Sequence, residues 1–313
     1  MKTELARAFD LGGEADFDLR LINVSENETY RVDCTNGHRF ALRLNRHGYH
    51  THAEIESEMA WLDALHEGKI IQAAKPLLGR DGRHLQNLGA REGVLFEWKD
   101  GREPLISDNL LSLAEALGGI AARLHNHTEH WQRPAGFIRP RWDFDAALGT
   151  EMRWGDWRKG LGVTPEMVPL YVRTVDVIEK RLQAYGEAPS RFNLIHGDLR
   201  LANLLVDVDA ITVIDFDDSG YGWLMYDAAT MVSFHEHEQH VLELIGSWVK
   251  GYRALRPLAK ADEREIATFI MFRRLLLTAW LGSHNEIDLA RELKPTFANQ
   301  TADLCEVYLR QHS

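Results

Sequence analysis

The chain has 313 residues, 45% of them hydrophobic, which is enough apolar material for a sizeable core and fits one or two domains. Its net charge of −11 excludes nucleic acid as an expected partner, because a phosphate backbone rewards clustered Lys and Arg. The two cysteines, Cys34 and Cys305, stand at opposite ends without metal-ligand spacing, so neither a disulfide framework nor a zinc site is expected, and a reducing cytoplasm is the expected location.

At the N-terminus, MKTELARAFDLGGEADFDLR is acidic and lacks the continuous apolar core of an export signal. FDLRLINVS, ETYRVDC and RFALRLN then mix β-branched, aromatic and apolar residues at strand lengths, and Asn36-Gly37 marks a hairpin between the last two. The period changes at Thr51. Ile55, Met59, Leu62 and Leu65 recur at helical spacing, predicting a helix over 51–66. Short strands are predicted at 83–87 and 93–98.

Beyond Trp98 the pattern is mainly helical. In DNLLSLAEALGGIAARLHNHT, Asp108 is the predicted N-cap of a helix whose apolar face carries Leu113, Leu117, Ile120 and Leu124, with Gly118-Gly119 weakening it slightly. The tract 128–144 holds prolines and aromatics without a period and is predicted to be an ordered loop. Helical patterns return at 165–184 and from about residue 224 onward. Among these, IATFIMFRRLLLTAWLG is interrupted by Arg273 and Arg274, so it is read as a buried core helix and no membrane is expected as a partner. FNLIHG, NLLVD and ITVID are short β-type runs within this helical part. The expected fold class is α+β, a small antiparallel-sheet part followed by a larger, mainly helical one, with the boundary near residues 99–101.

Chemistry concentrates in HGDLRLANLLVD, 196–207, followed closely by ITVIDFDDSG, 211–220. Carboxylates gathered among apolar residues need a positive partner, and a divalent cation is the natural candidate. Phosphoryl transfer from a nucleoside triphosphate explains the spacing. Mg²⁺ on hard oxygen ligands neutralises the phosphates while a carboxylate orients the attacking hydroxyl and accepts its proton. Asp198 suits the second task, Asn203 and Asp215 the first. H-x-D-x-x-x-x-N with a following strand that ends in Asp is the catalytic-loop pattern of protein kinases.

The chain resembles the aminoglycoside phosphotransferase, choline kinase and type II homoserine kinase superfamily, through His196-Gly197-Asp198, ENETYRV before LRL, ESEMAWLDAL, VLFEWKDG, LGGIAARLH, VIDFDDSGYG and MYDAA. Ile214-Asp215-Phe216-Asp217-Asp218 and FRRLLLTAWL are most similar to its stress-response kinase and putative homoserine kinase branch. The resemblance implies a protein-kinase-like two-lobed fold, with a nucleotide-binding lobe over 1–99 and a helical catalytic and acceptor-binding lobe over 100–313. It implies Asp198 as catalytic base, Asn203 and Asp215 as Mg²⁺ ligands, His196 as a support of the loop, and Asp227 as a bond acceptor for the loop backbone. It also implies a phosphate-binding cation on the third strand, where this chain has Arg43 instead of the usual Lys. Its implied carboxylate partner is Glu58, with Glu54 as the alternative. The phosphate-covering loop SENET has no glycine, so the Ser25 and Thr29 hydroxyls and backbone amides take that part. Adenine is expected against the backbone of Phe96, Glu97 and Trp98. Asp217 and Asp218 are candidates for a cationic group of the acceptor.

The implied activity is ATP-dependent transfer of phosphate to a hydroxyl of a small, amine-bearing metabolite such as homoserine, with a Ser/Thr protein kinase of the stress-response type as the alternative. Gly197 replaces the Arg that protein kinases use to read a phosphorylated activation loop, so control of that kind is not expected. A non-catalytic nucleotide-binding scaffold is a third reading, and retention of Asp198, Asn203 and Asp215 speaks against it. Other conspicuous residues have bland expectations. His235, His237 and His240 share no helical face and are read as solvated, His125 and His127 as capping or packing, and Trp142, Trp154 and Trp157 as core anchors.

Overall fold

The computed structural model describes residues 1–24, 27–105, 108–208, 210–286 and 288–312. Its first hundred residues run α1 (Lys2–Ala8), β1 (Phe17–Val24), β2 (Glu28–Cys34), β3 (Arg39–Leu44), α2 (His52–Glu67), β4 (Gln86–Asn87) and β5 (Glu92–Glu97). The strands form one antiparallel sheet in the order β1-β2-β3-β5-β4. The β2–β3 turn sits where the Asn-Gly pair predicts it. Gly37 takes φ +87°, a conformation that costs a residue without Cβ little, and the Asn36 side chain accepts from His38 N at 3.0 Å. Alternation on β3 sends Leu42 and Leu44 into a core with Leu5, Phe9, Phe17, Val32 and Leu95, and turns Arg43 to the opposite face. Helix α2 starts at a capping box in which Thr51 Oγ1 accepts from Glu54 N, while Glu54 accepts from Thr51 N at 2.7 Å.

The rest of the chain runs α3 (Leu110–His130), α4 (Phe144–Ala147), α5 (Val168–Tyr185), β6 (Phe192–Ile195), β7 (Leu204–Asp207), β8 (Ala210–Val213), β9 (Gly220–Trp223), α6 (Tyr226–Thr230), α7 (Val241–Arg253), α8 (Lys260–Ser283), α9 (Asp288–Leu293) and α10 (Phe297–His312). The β-type runs make two separate ladders, β6 with β9 and β7 with β8, and β9 is a strand that its own Gly-rich sequence hides. Two compact units result. One comprises Met1–Pro104, Gln132–Arg139 and Ala202–Asp217, the other Leu105–Trp131, Pro140–Leu201 and Asp218–Ser313. Backbone bonds tie the β7–β8 hairpin into the first unit: Val213 N donates to Gln72 O at 2.9 Å, and Arg102 and Val206 exchange bonds of 3.1 and 2.8 Å.

Local expectations are corrected in the second unit. Asn109, not Asp108, caps α3, accepting from Ser112 N at 3.2 Å, because the Asp108 carboxylate is turned back onto Leu105 N at 2.7 Å. Gly118 is no weak point. A Cβ there would lie 1.9 Å from Trp248 O, so its absence lets α3 and α7 cross at backbone contact. Helix α8 is a core helix as predicted, and both of its central arginines are buried with carboxylate partners. The His235 and His237 side chains are exposed, as expected, with a buried glutamate between them. Glu236 is buried on Arg274, and Glu238 draws in His235 and His240.

Candidate active site

In the first unit, β3 places Arg43 opposite Thr29 of β2 and Val94 of β5. Its guanidinium is buried, so the charge requires partners, and it has them. Nη1 and Nη2 donate to Glu58 Oε1 and Oε2 at 2.7 Å each, the parallel fork that fixes both position and plane. Glu58, fully buried on α2, is the carboxylate on Arg43; Glu54 is spent on the capping box. Asp217 Oδ1 lies 3.4 Å from Arg43 Nη1, and its Oδ2 accepts from Asn27 Nδ2 at 2.9 Å and lies 3.5 Å from His50 Nε2. Arg139, from the loop that sequence left without a path, donates to Glu54 O at 2.8 Å and also to Asp217 O. Burial would raise the Asp217 carboxyl, but Arg43, then His50 and Arg139, hold it well below the usual carboxylate range.

The same unit carries Asn203 and Asp215. Their proximity follows from register. Leu204 pairs with Val213, and Ile214 N donates to Asn203 O at 3.0 Å, so the residue before β7 meets the residues just after β8. Asp215 is exposed and takes φ +63°, a left-handed conformation uncommon for any residue with a Cβ, while the next side chain, Phe216, is buried against Trp61 with ring centroids 5.3 Å apart. Thr29, Glu97 and Trp98 are half-buried. The Glu97 amide donates to Lys75 O at 2.9 Å and that of Trp98 to Arg39 O at 3.4 Å. Ser25 lies outside the described residues.

In the second unit the turn after β6 presents Asp198. Gly197 has φ +79°, and a Cβ there would stand 2.7 Å from Asp218 O, itself fixed by Trp142 Nε1 at 2.8 Å. Asp227 of α6, fully buried, accepts from Gly197 N at 2.9 Å and His196 N at 3.3 Å. His125 stands between Asp227 Oδ2 and Tyr252 OH at 3.0 Å from each, a packing role that bonds α3 to the turn. Asp198 is buried between two arginines: Arg200 Nε donates to Oδ2 at 3.0 Å and Arg273 Nη2 donates to Oδ1. Burial would raise this carboxyl, yet Arg200, Arg273 and His196 hold it below its usual range. Arg273 also donates to Ser233 Oγ at 3.1 Å and Tyr226 OH at 3.0 Å, and lies 5.3 Å from the Trp154 ring centroid. Burial pushes the Tyr226 phenol up to about 12, so it stays neutral and can accept from Arg273. Asp218 is half-buried.

Comparison with known proteins decides the family. The model of the phosphotransferase enzyme family matches residues 18–261. The chain belongs to that family. This phosphotransferase is 41% identical to the solved structure of a microcompartment-associated aminopropanol kinase, with a TM-score of 0.91 and coverage of 99% of this chain and 97% of the other. It is 25% identical over 283 residues to amicoumacin kinase of Bacillus subtilis (strain 168), covering 85% of this chain and 80% of that protein. The amicoumacin kinase hAmiN, solved with AMP-PNP, Ca²⁺ and Ami, shares the fold at 20% identity, with a TM-score of 0.77 over 96% of this chain and 91% of the other. The phosphotransferase is thus an ATP-dependent small-molecule kinase acting on a hydroxyl, with the α+β, protein-kinase-like fold of its family.

Among the described residues no three His, Cys, Asp or Glu side chains group as a self-sufficient metal cage. The oxygen donors of Asn203 and Asp215 still fit Mg²⁺, which takes one or two protein ligands and completes its shell with phosphate and water. Sequence reasoning missed Arg139, His50 and Arg273. For Arg273 a signal was present: two arginines inside a buried helix demand counter-charges, and the search for those leads to the Asp198 carboxylate.

Proposed function

We propose that this phosphotransferase carries the γ-phosphate of ATP to the hydroxyl of a small amine-bearing alcohol of the size of aminopropanol or homoserine. The observation that supports it best is the 41% identity, over 99% of this chain, to a solved aminopropanol kinase. In this reading Asp198 orients the acceptor hydroxyl and takes its proton. The acceptor oxygen bonds to the γ-phosphorus as the bond to the bridging oxygen breaks, and the electron pair leaves on ADP. Asn203 and Asp215 hold Mg²⁺, which when bound neutralises phosphate charge. Arg43, held in place by Glu58, grips the α- and β-phosphates; Thr29 covers them, and adenine lies against the backbone at Phe96, Glu97 and Trp98. Of the two acidic candidates for the acceptor, Asp217 is buried and Asp218 half-buried, so the ammonium falls to the more accessible Asp218.

The test is ADP release from ATP and Mg²⁺ with a panel of aminopropanol, ethanolamine, homoserine, an aminoglycoside and a protein extract. A short amino alcohol should give the highest kcat/KM, and the ratio between homoserine and aminopropanol reads whether the acceptor carries a carboxylate. Asp198→Asn should lower kcat by roughly 10²–10⁴-fold, the range for loss of a general base. Labelling of proteins without turnover of any amino alcohol would reject the reading.

A further inference from the structure

Arg273 and Arg274 are neighbours on α8, both buried, and they serve different masters. Arg274 Nη1 and Nε donate to Glu236 Oε2 at 2.6 Å and Thr301 Oγ1 at 2.8 Å, Nη2 donates to Phe297 O at 3.0 Å, and the guanidinium lies 3.5 Å from the Phe297 ring centroid. Those partners belong to α10 and the segment before α7, so Arg274 fastens helices. Arg273 turns instead to the catalytic loop, reaching Asp198 across 75 residues of sequence. Its other donors are held by Ser233 and Tyr226, with Trp154 covering its face. A guanidinium fixed at three edges has little freedom left to lose when it binds a carboxylate.

The two arginines on Asp198 are also unequal. The Arg273 side chain is 3% exposed and that of Arg200 is 32% exposed. We propose that Arg273 is a positioning residue for the base, pinning Asp198 Oδ1 and so fixing the plane and direction of the carboxylate that takes the acceptor proton. A carboxylate held at one oxygen by a buried, anchored guanidinium keeps its plane and direction. Positional errors near 1 Å at such a group cost on the order of 10²-fold in rate. The inference rests on the reading of Asp198 as base, and the two fail separately in the experiment below.

Steady-state kinetics of Arg273→Ala, Arg273→Lys, Arg274→Met and Asp198→Asn supply the test, with guanidinium ion added at concentrations too low to unfold the protein. Arg273→Ala should lose about 10²-fold in kcat while KM for ATP changes less than about twofold, the signature of an interaction that orients the reacting group. Guanidinium should restore part of that kcat but none in Asp198→Asn, and Arg273→Lys should fall in between. Arg274→Met should lose thermal stability and keep kcat per folded molecule. Wild-type kcat in Arg273→Ala beside an inactive Asp198→Asn overturns the positioning role alone, as does a loss that neither guanidinium nor Lys repairs. Full turnover by Asp198→Asn removes the base itself. If Arg273→Ala does not fold, Tyr226→Phe and Ser233→Ala release the guanidinium one anchor at a time. A severalfold drop in kcat at unchanged KM supports the role, and unchanged kcat in both overturns it.

Discussion

The two units solve one electrostatic problem in opposite senses. In the first, a cation is the central group: Arg43 is buried with the Glu58 fork on one side and Asp217 on the other. In the second, an anion is central: Asp198 is buried with Arg273 and Arg200 on its two oxygens. Burying either charge costs several kcal/mol, and counter-ions offset that only in good geometry. The gain is direction. In the proposed reading, the pinned guanidinium would present donors to phosphate and the pinned carboxylate a lone pair to a hydroxyl proton. The lesson is that each of these buried charges is held by partners that lie inside its own unit.

The largest effect that would sharpen this comparison is Glu58→Gln. It leaves Arg43 buried with the longer Asp217 contact as its remaining ion pair among the described residues, and breaking one side of a buried pair costs about 3 kcal/mol or more. Chemical denaturation should show that loss, and KM for ATP should rise more than kcat falls if Arg43 has the proposed role of gripping nucleotide and not of moving a proton. A fall in kcat as large as the rise in KM would merge the two clusters into one functional group and break the contrast.

Next in size is Gly197→Ala in the Asp198 cluster. The positive φ costs on the order of 1–2 kcal/mol with a Cβ, and the new atom would sit 2.7 Å from Asp218 O, so the turn must shift. Asp198 shifts with it. The expected outcome is a fall in kcat of tenfold or more, roughly the rate equivalent of 1.4 kcal/mol, with KM for ATP little changed. A rise in KM for ATP at constant kcat would show that Asp198 geometry is not what this turn protects.

How much of this was legible depended on the range of the interactions. The strands β1–β3, the Asn36-Gly37 turn and the spacing from His196 to Asn203 are local, and local chemistry determines them. Asp215 follows from the same hairpin, since β7 and β8 pair in register. Glu58 over Glu54 required knowing that Thr51 caps α2 and takes Glu54 away, a local rule that the sequence also contained. By contrast, Arg139 lies in a loop whose backbone bonds are non-periodic, and its site on Glu54 O and Asp217 O depends on carbonyl positions that no pattern encodes. Arg273 was visible as an anomaly in an apolar helix, but its partner was not, because ridge-and-groove packing decides which face of α8 meets the catalytic loop.

The smallest effect tests whether charge or simple hydrogen bonding holds Asp217. Asn27 Nδ2 donates to Asp217 Oδ2 at 2.9 Å, and its Oδ1 accepts from Arg46 N at 3.0 Å, so the amide links β2's entry, β3's exit and the acidic string. Asn27→Ala deletes both bonds. If the cations Arg43 and Arg139 govern Asp217, the cost is that of ordinary hydrogen bonds, about 1 kcal/mol by denaturation, and KM for ATP barely moves. A loss as large as that of Glu58→Gln would instead make Asn27 the keystone. Arg43 would then depend on a neutral amide to keep its second carboxylate in place, and the first unit would no longer be the mirror image, in charge, of the second.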